Sequence, residues 1–387
     1  MTKKILLLSV SAGAGHMRAA EALRVCAGAG GADVEVTHLD VMDFVTAAFR
    51  KLYTDFYIKL VNKAPGLWGY LYNVTNEAQA DSTMERVRRR LERMNARALL
   101  TEIKAFRPDA IICTHFLPAE MLSRLIRKGE LRCPVWVQVT DFDLHRMWVH
   151  EHMSGYFAAN DEVAFRMRAQ GIAAEHIHVT GIPIMPAFAQ SPERIVCAPE
   201  FGLDPQRRTF LLMGGGAGVG SMDAIAGRML ALDGDFQLIV LAGKNAPLLA
   251  ALKTLAAAHP GRLFPQGFTD RVERLMACAD LVITKPGGLT TSECLAMGLP
   301  MIVNAPIPGQ EERNADFLLE QGVALKAFDE VTLEYRIRYL LQHPAKLDDM
   351  AAKARSLGRA HAASEVLNIV LAGLSTSPLS SIKPHTS

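Results

Sequence analysis

Short apolar runs alternate with longer stretches of helical periodicity along almost the whole of this 387-residue chain. This alternation is typical of parallel β–α–β units. Eleven runs are predicted to be strands, namely Lys4–Val10, Val34–Leu39, Ala110–Cys113, Val135–Val139, Gly155–Ala158, His176–Val179, Thr209–Met213, Phe236–Leu241, Leu263–Pro265, Leu281–Thr284 and Met301–Val303. Six fall in the first half and five in the second. Each half therefore predicts a doubly wound parallel sheet of its own, and the fold class is α/β with two Rossmann-like domains.

Proline-rich sequence separates the two halves. Prolines recur from Gly181 to Pro186 and again at Pro192, and prolines at this density favour an extended linker. The chain is also long enough for two domains, each with its own core. We predict a first domain over residues 1–187, a second over residues 188–372 and a disordered tail over residues 373–387.

Overall charge and apolar content exclude several classes of protein. Half of the residues are hydrophobic and the net charge is +2, a globular composition without a global argument for nucleic-acid binding. The first apolar run, from Ile5 to Val10, is too short for a secretory signal, and no apolar stretch approaches the roughly 18 residues of a membrane span. The six cysteines form no CxxC pair, which indicates reduced core residues of a cytosolic protein.

One region departs from this balance. Residues 50–107 carry twelve Lys or Arg against six acidic residues, and residues 44–76 hold eight of the chain's 26 aromatic residues. Aromatic rings beside cations suit contact with an anionic membrane surface. A helical subdomain packed on the sheet with a solvated basic face would contain the same residues. The sequence leaves both interpretations open, and the first predicts a peripheral membrane protein.

The segment from Thr284 to Glu293 contains the strongest local signal for a ligand. It reads as the end of a buried strand, a Gly-Gly turn and a helix, so backbone N–H groups and the positive end of the helix dipole face the turn. This arrangement predicts a phosphate cradle, although an ordinary strand–turn–helix would share its glycines. Glu293 can accept hydrogen bonds from ribose hydroxyls, and Gln310 with Glu311 add acceptors of the kind that read sugar hydroxyls.

Three further elements of the second half follow predicted strands. The glycine run Gly214–Gly216 is a second candidate phosphate loop. Lys244 can neutralise a phosphate or lie at its strand end without a ligand, and the backbone around Phe268 can face a flat base. All of them lie at the carboxyl ends of parallel strands, where open α/β sheets bind ligands.

The first strand runs into a loop of small residues that ends at His16. The loop spells neither GxGxxG nor a P-loop, which disfavours a simple dinucleotide-binding or kinase function. Glycines allow a substrate to approach the backbone closely, and the histidine beside them can take a proton from an incoming hydroxyl. A histidine at a helix start is also often only a cap or a surface residue.

Asp141 and Asp143 match the DxD pattern that holds a divalent cation in a different glycosyltransferase fold. His145, His150 and His152 follow closely, but their spacings of five and two match no familiar zinc pattern. In that other fold the DxD lies in the half that binds the sugar nucleotide, whereas here the candidate phosphate and sugar sites lie in the second half of the chain. We therefore predict no metal, and a role for Asp141 in orienting His16 or contacting the acceptor.

Taken together, these motifs resemble the GT-B glycosyltransferases that make monoglycosyl- and processive diglycosyl-diacylglycerols, among them plant monogalactosyldiacylglycerol synthase and bacterial diacylglycerol glucosyltransferase. The resemblance covers roughly residues 4–370. It rests on Ser11–His16, the aromatic insert, Thr140–Trp148, Val179–Pro183, Thr284–Glu293 and Pro308–Glu311. One departure is that the family's loop is usually of a Gly-Gly-Gly-His type, whereas this chain has Gly13-Ala14-Gly15 before the histidine.

The resemblance implies two Rossmann-like domains that face each other across a cleft, with acceptor residues in the first and donor residues in the second. His16 and Asp141 are the implied catalytic residues. The implied donor-binding residues are Gly214, Gly215, Gly216, Lys244, Phe268, Thr284, Gly287, Gly288, Leu289, Thr290, Glu293, Gln310 and Glu311, and the implied acceptor-binding residues are Gly13, Gly15, Trp68, His145 and Trp148. Gly214 to Gly216 together with Gly287 and Gly288 would hold the diphosphate. Phe268 would lie at the uracil, Glu293 would bind the ribose, and Gln310 with Glu311 would bind the hexose.

The implied reaction moves glucose or galactose from a UDP-sugar to the 3-hydroxyl of diacylglycerol, with inversion and possible processivity, at the cytoplasmic face of a membrane. His16 would be the base, and no cofactor or metal is implied. Two alternatives remain open from the sequence: an isomerase like UDP-N-acetylglucosamine 2-epimerase, and a non-catalytic sugar-nucleotide-binding regulator. The choice of hexose, the number of sugars added and the oligomeric state are not determined by these residues.

Overall fold

The computed structural model describes residues 2–11, 13–30, 33–46, 50, 97–214, 222–304 and 306–376. Several sequence predictions fall outside these ranges. They concern most of the aromatic insert with Trp68, the basic helix that follows it, Gly215 and Gly216, and residues 377–387.

Within the described ranges the chain forms two six-stranded parallel sheets. The first sheet consists of β1 (Lys3–Ser9), β2 (Val34–Asp40), β3 (Ala110–Cys113), β4 (Val135–Gln138), β5 (Gly155–Ala158) and β6 (Ile177–Val179). The second consists of β7 (Arg208–Met213), β8 (Phe236–Gly243), β9 (Leu263–Gly267), β10 (Leu281–Thr284), β11 (Met301–Asn304) and β12 (Ala324–Ala327). All eleven predicted strands are confirmed with small changes at their ends, and β12 is an addition.

Helices connect the strands and cover both faces of the sheets. The α-helices named here are α1 (Ala14–Ala29), α2 (Phe116–Arg127), α3 (Asp161–Ala169), α4 (Arg194–Cys197), α5 (Met222–Leu230), α6 (Ala246–Ala258), α7 (Val272–Ala277), α8 (Gly288–Ala296), α9 (Gln310–Glu320), α10 (Glu330–Gln342), α11 (Pro344–Leu357) and α12 (Ala362–Thr376). Residues 97–106 are also helical. Short 3₁₀ turns cover Val41–Phe44, Arg146–Trp148, Ala174–His176, Pro186–Gln190 and Ala198–Phe201.

Strand order fixes where ligands can bind. The first sheet has the order β2-β1-β3-β4-β5-β6, and the second has the order β12-β11-β10-β7-β8-β9. The direction of winding therefore reverses between β1 and β3 in the first sheet and between β7 and β10 in the second. In doubly wound folds the crevice for ligands opens at the carboxyl ends of the two strands at such a reversal. His16 follows β1 and Gly287 follows β10, so the strongest sequence signals lie at the two reversals.

Alternate residues of β1 serve two different cores. Leu6 and Leu8 belong to the core under one face of the first sheet, while Ile5 and Leu7 belong to the core under the other. This division follows from the alternation of side chains along a strand, and a sheet covered on both faces needs apolar residues at every position. The continuous apolar run at the start of the chain is therefore explained by burial on both sides.

A third core joins the two halves. It contains Phe142, Ile182 and Phe188 from the first half and the linker, together with residues of the second sheet and its helices such as Val282 and Leu318. The segment after β6 is thus packed against the second half rather than lying free of it. The domain boundaries at residues 187 and 188 stay a prediction.

The last helix returns to the first sheet. Val366, Leu367 and Val370 of α12 are buried with Ile5 and Phe157, so a segment at the end of the second half completes the core of the first. The helix includes residues 373–376, which lie in the segment predicted as a tail. Over the described residues, no helix combines the length and the apolar content that crossing a membrane requires.

Candidate active site

His16 lies in the first turn of α1, and its ring is held from two other loops of the same sheet. Its Nδ1 atom lies 3.0 Å from the carbonyl oxygen of Thr114 and 2.8 Å from the hydroxyl oxygen of Thr140. Thr114 follows β3 and also donates its own hydroxyl to the backbone oxygen of His16 at 2.9 Å. The histidine is therefore fixed at the reversal point between β1 and β3.

These contacts determine which ring nitrogen of His16 can act as a base. The carbonyl oxygen of Thr114 can only accept, so Nδ1 must carry the hydrogen. In a neutral imidazole the other nitrogen, Nε2, then has a free lone pair. Burial lowers the pKa of His16 to about 4, although the hydrogen bond to Thr114 acts in the opposite direction. At neutral pH the ring is consequently uncharged, with the lone pair on Nε2.

Aromatic residues surround the His16 ring. The ring of His115 meets it edge-on at a centroid distance of 4.5 Å, and the buried indole of Trp148 lies at 6.1 Å. His115 accepts a hydrogen bond from the backbone N–H of Leu117 and so caps α2. Burial, followed by the nearby His16, holds the pKa of His115 well below its usual range. Two neutral histidines therefore lie together in a largely apolar setting.

Sequence reasoning did not single out His115. The available signal was its position, because it follows β3 at a helix start just as His16 follows β1. Of the predicted acceptor residues, Trp148 lies beside His16. His145 caps the 3₁₀ turn that carries Trp148 by accepting from the backbone N–H of Met147 at 3.1 Å.

The two predicted acceptor glycines have different surroundings. A Cβ placed on Gly13 would lie 3.1 Å from Cδ2 of His16, so this glycine borders the histidine ring directly. A Cβ on Gly15 would lie 3.5 Å from the side chain of Leu289, in the second half of the molecule. The small-residue loop therefore lies beside both His16 and the second half of the molecule.

The second half contributes the N-terminus of α8. Its N-cap residue is Gly287, which provides no side-chain cap, so the N–H groups of the first turn have no partner within the helix. A Cβ placed on Gly287 would meet no atom within 4 Å, so this turn opens to a ligand. By contrast, Asn160 and Asn245 cap α3 and α6 with their side-chain oxygens.

Gly288 lies against the first half of the molecule. A Cβ on Gly288 would lie 2.1 Å from the carbonyl oxygen of Thr140, the same residue whose hydroxyl contacts His16. Only glycine permits this approach, because the Cβ of any other residue would overlap with the carbonyl oxygen. The predicted phosphate turn and the predicted base are therefore connected through Thr140. Of the other predicted residues here, Thr284 and Leu289 are buried and Thr290 is half-buried.

Glu293 faces the first half instead of solvent. Its carboxylate lies 2.7 Å from the guanidinium of Arg18, which lies on α1 two residues beyond His16. The Glu293 side chain is only 5% exposed, whereas that of Arg18 is 48% exposed. Burial raises the pKa of Glu293 to about 7, and the cation of Arg18 only partly counteracts this rise. Glu293 therefore changes charge near neutral pH.

Gln310 and Glu311 begin α9. The side-chain N–H of Gln310 donates to the carboxylate of Asp141 at 2.5 Å, and Glu311 accepts from the backbone N–H of Ile307 at 2.7 Å. Burial raises the pKa of Asp141 to about 6 and also raises that of Glu311. His16 is held by Thr114 and Thr140, whereas Asp141 holds Gln310 across the interface; a role of Asp141 in orienting His16 or contacting the acceptor stays a prediction.

Asp143 lies at the same interface between the two halves. Its carboxylate lies 3.3 Å from the guanidinium of Arg166 and 3.9 Å from that of Arg313, and its side chain is 11% exposed. The two aspartates of the DxD pattern thus bind an amide and two guanidinium groups. Among the residues that the structure describes, no group of three or more His, Cys, Asp or Glu side chains could hold a metal ion.

The remaining predicted donor residues lie at the outer strands of the second sheet. Lys244 and Phe268 follow β8 and β9, and the ammonium of Lys244 lies 4.8 Å from the centre of the Phe268 ring. The Phe268 ring is 65% exposed, so a flat base can reach it. Gly214 directly follows β7, at the reversal point of this sheet.

Comparison with known proteins gives a match in each half of the chain. A family model described as monogalactosyldiacylglycerol (MGDG) synthase matches residues 16–184, and one for the C-terminal domain of glycosyltransferase family 28 matches residues 223–366. A processive diacylglycerol beta-glucosyltransferase of Bacillus pumilus (strain SAFR-032) is 30% identical over 376 residues, which cover 95% of this chain and 94% of the relative.

Solved structures with the same arrangement of two sheets include MurG of Acinetobacter baumannii, with a TM-score of 0.64 and 16% identity over 96% of this chain and 99% of that chain. MnaA of S. aureus, solved with UDP, has a TM-score of 0.65 and 14% identity over 98% of this chain and 100% of that chain. At these identities the likeness concerns the fold alone, and it confirms the GT-B architecture.

Proposed function

Since the chain belongs to the GT-B glycosyltransferase family of monogalactosyldiacylglycerol synthase and the processive diacylglycerol glucosyltransferases, we propose that it moves a hexose, glucose or galactose, from a UDP-sugar to the 3-hydroxyl of diacylglycerol. Family membership makes the chain a glycosyltransferase of glycolipid synthesis. The UDP donor, the acceptor hydroxyl and inversion at the anomeric carbon are the content of the proposal.

The observation that carries the proposal is the fixed, neutral form of His16. Its Nδ1–H is held by Thr114, so Nε2 takes the proton of the acceptor hydroxyl while the hydroxyl oxygen attacks the anomeric carbon. The low pKa of His16 keeps the base unprotonated at neutral pH. It also makes the imidazolium costly, so the proton passes on to solvent or product after transfer.

The leaving group departs toward the second half of the molecule. Negative charge that develops on the diphosphate is stabilised by the free N–H groups at the start of α8 and by the dipole of that helix. Gly287 leaves room for the phosphate oxygens, since a Cβ there would meet nothing within 4 Å. Gly214, which follows β7 at the same reversal point, acts with them, and Phe268 stacks on the uracil.

Donor binding exchanges protein contacts for substrate contacts. The ribose hydroxyls donate to Glu293 and take the place that Arg18 occupies in this structure. Gln310 and Glu311 accept from hydroxyls of the hexose. Binding of the donor thereby loosens one ion pair between the halves and adds hydrogen bonds to the sugar.

The acceptor is a membrane lipid, so we place the protein at the cytoplasmic face of an anionic membrane as a peripheral protein. Support comes from the sequence, where aromatic and basic residues concentrate between residues 44 and 107. Binding to vesicles with and without anionic lipid, at low and high salt, tests this part. We expect binding that needs anionic lipid and weakens with salt, and equal binding under all four conditions would contradict it.

The function itself is tested with diacylglycerol vesicles and a panel of UDP-sugars, with the lipid products separated by chromatography. We expect a hexosyl-diacylglycerol, and inversion of the α-linked donor requires that the product be a β-glycoside by its anomeric proton coupling. An α-glycoside would contradict inversion, and transfer only from donors without uridine would contradict the proposed donor.

The same experiment separates the proposal from its alternatives. If the sugar of the nucleotide changes configuration without any lipid acceptor, the protein is an epimerase. If UDP-sugar binds and no glycolipid forms with any diacylglycerol, the protein is a regulator that senses the nucleotide.

A further inference from the structure

The loop that follows β4 packs against α9 through Phe142. Phe142 stacks on Phe317 with ring centroids 4.8 Å apart, and its backbone N–H donates to the side-chain oxygen of Asn314 at 2.8 Å. The amide N–H of Asn314 donates to the carbonyl oxygen of Pro286, just before the phosphate turn, at 3.1 Å. This packing fixes the position of Asp141 relative to the start of α9.

Within that setting the carboxylate of Asp141 meets the side-chain N–H of Gln310. Asp141 is only 5% exposed, and an ionised carboxylate accepts hydrogen bonds but donates none. If the Gln310 amide turned over, its oxygen would face the buried carboxylate, and two acceptors would lie against each other without a hydrogen between them. The contact therefore permits one orientation of the amide, in which its oxygen points away from Asp141.

We propose that Asp141 is a positioning residue that determines donor specificity, because it occupies one N–H of Gln310 and so makes that residue present its amide oxygen to the donor hexose. This inference rests on the proposed function, in which Gln310 binds the hexose. Glu311 is restricted in a similar way, since one of its oxygens accepts from the backbone N–H of Ile307. The donor sugar then faces acceptors on both residues, and it must supply hydroxyl hydrogens to each of them.

The geometry of a fixed acceptor explains how two epimeric hexoses can be told apart. Glucose and galactose carry the same hydroxyls and differ in the direction of one of them. An amide free to turn over could donate to or accept from either arrangement, whereas a fixed oxygen is satisfied only by a hydroxyl that points at it. Asp141 thus acts through Gln310 and touches no substrate itself.

The test compares the affinities of UDP, UDP-glucose and UDP-galactose for the wild type and for Asp141→Asn, measured by calorimetry on the full chain. Asparagine can pair with Gln310 in either orientation, so the amide is no longer fixed. We expect the preference between the two UDP-hexoses to fall about tenfold, while the affinity for UDP alone stays within about twofold.

Two further variants control for general damage to the loop. Asp143→Asn removes the charge that contacts Arg166 and Arg313 and leaves Gln310 untouched, so it should keep the wild-type preference. Gln310→Met should lose the preference to the same extent as Asp141→Asn, and adding Asp141→Asn to it should change nothing more. If Asp141→Asn does not fold, Gln310→Met alone still tests whether Gln310 determines the preference between the two UDP-hexoses.

The possible outcomes separate this inference from the proposed function. If the wild type binds neither UDP-hexose, the proposed donor is wrong and the inference falls with it. The inference alone is overturned if the wild type binds both epimers equally, if Asp141→Asn or Gln310→Met keeps the preference, or if Asp143→Asn loses it to the same degree.

Discussion

His16 combines two properties that a base acting on a hydroxyl requires, namely a defined tautomer and an uncharged ring. We expect His16→Ala to lower kcat by about 10² to 10⁴-fold, the usual contribution of a positioned general base. The affinity for UDP should change little, because the proposed base acts on the acceptor hydroxyl and not on the nucleotide. Steady-state transfer assays with calorimetry for UDP check both quantities.

The matched control is His176→Ala, since His176 is exposed in a 3₁₀ turn of the same half and its replacement should leave turnover at the wild-type level. A His16→Ala protein with near-normal turnover would show that the acceptor is deprotonated by another group.

Glu293 gives a stability effect that depends on pH. Burial raises its pKa to about 7 from an ordinary value of 4.5, so between these values the folded protein binds more protons than the unfolded chain. Stability therefore falls as pH rises through this range, by at most about 3 kcal/mol for this group. Glutamine does not titrate, so Glu293→Gln should be stabilised relative to the wild type at pH 8 but hardly at pH 5.

The measurement is the difference between the thermal midpoints of variant and wild type at the two pH values. Taking a difference removes the opposite contribution of His16, whose lowered pKa makes the protein more stable as pH rises. The control, Glu365→Gln, replaces an exposed carboxylate and should show the same difference at both values. A Glu293→Gln difference that does not grow with pH would contradict the buried, protonatable carboxylate.

At the scale of elements, the start of α8 has to approach the loop after β4 without a side chain. Gly288→Ala would place a carbon 2.1 Å from the carbonyl oxygen of Thr140, and both groups belong to backbone, so the two elements must separate. Because Thr140 also holds the His16 ring, we expect lower stability, by about 1–3 kcal/mol, together with reduced turnover. Thermal unfolding and transfer assays measure the two effects.

Gly227→Ala is the control for this change. Gly227 lies inside α5 with no atom within 4 Å of an added Cβ, so alanine should raise stability slightly through its helix propensity. Turnover should be unchanged. If Gly288→Ala behaves like Gly227→Ala, the close approach of the two halves is absent in solution.

The elements themselves could be predicted from the sequence to a large extent, because strands buried on both faces must be continuous apolar runs. The exception is β12, which pairs only with β11 at the sheet edge. Two of its four residues are half-buried, and Lys326 interrupts any apolar run. An edge strand is half-solvated, so its sequence has no strong periodic signal.

The candidate site was predictable where its residues follow a strand directly, as His16 and Gly287 do. The partners of these residues were not, because they are brought together by the docking of the two halves. Arg18 and Glu293 are 275 positions apart, and Asp141 and Gln310 are 169 apart. No local pattern encodes such a pair.

For the whole molecule, the two halves depend on each other through α12. Val370 is fully buried against the first sheet although it belongs to the last helix of the chain. Val370→Asp would bury an unpaired carboxylate there, and we expect a cost of about 3 kcal/mol or more. The damage should appear in the first half, as faster amide exchange in β1 and β3, and not only in α12.

Asn368→Asp introduces the same carboxylate two positions earlier on the same helix, where the side chain is exposed. It should leave exchange in both sheets at the wild-type rate, so any difference between the two variants reports burial and not charge. Hydrogen exchange that rises in α12 alone after Val370→Asp would mean that the helix only rests on a first half that is stable without it. Exchange that rises in β1 and β3 as well would mean that the first half, with His16 in the helix after β1, completes its core only when the end of the chain has returned to it.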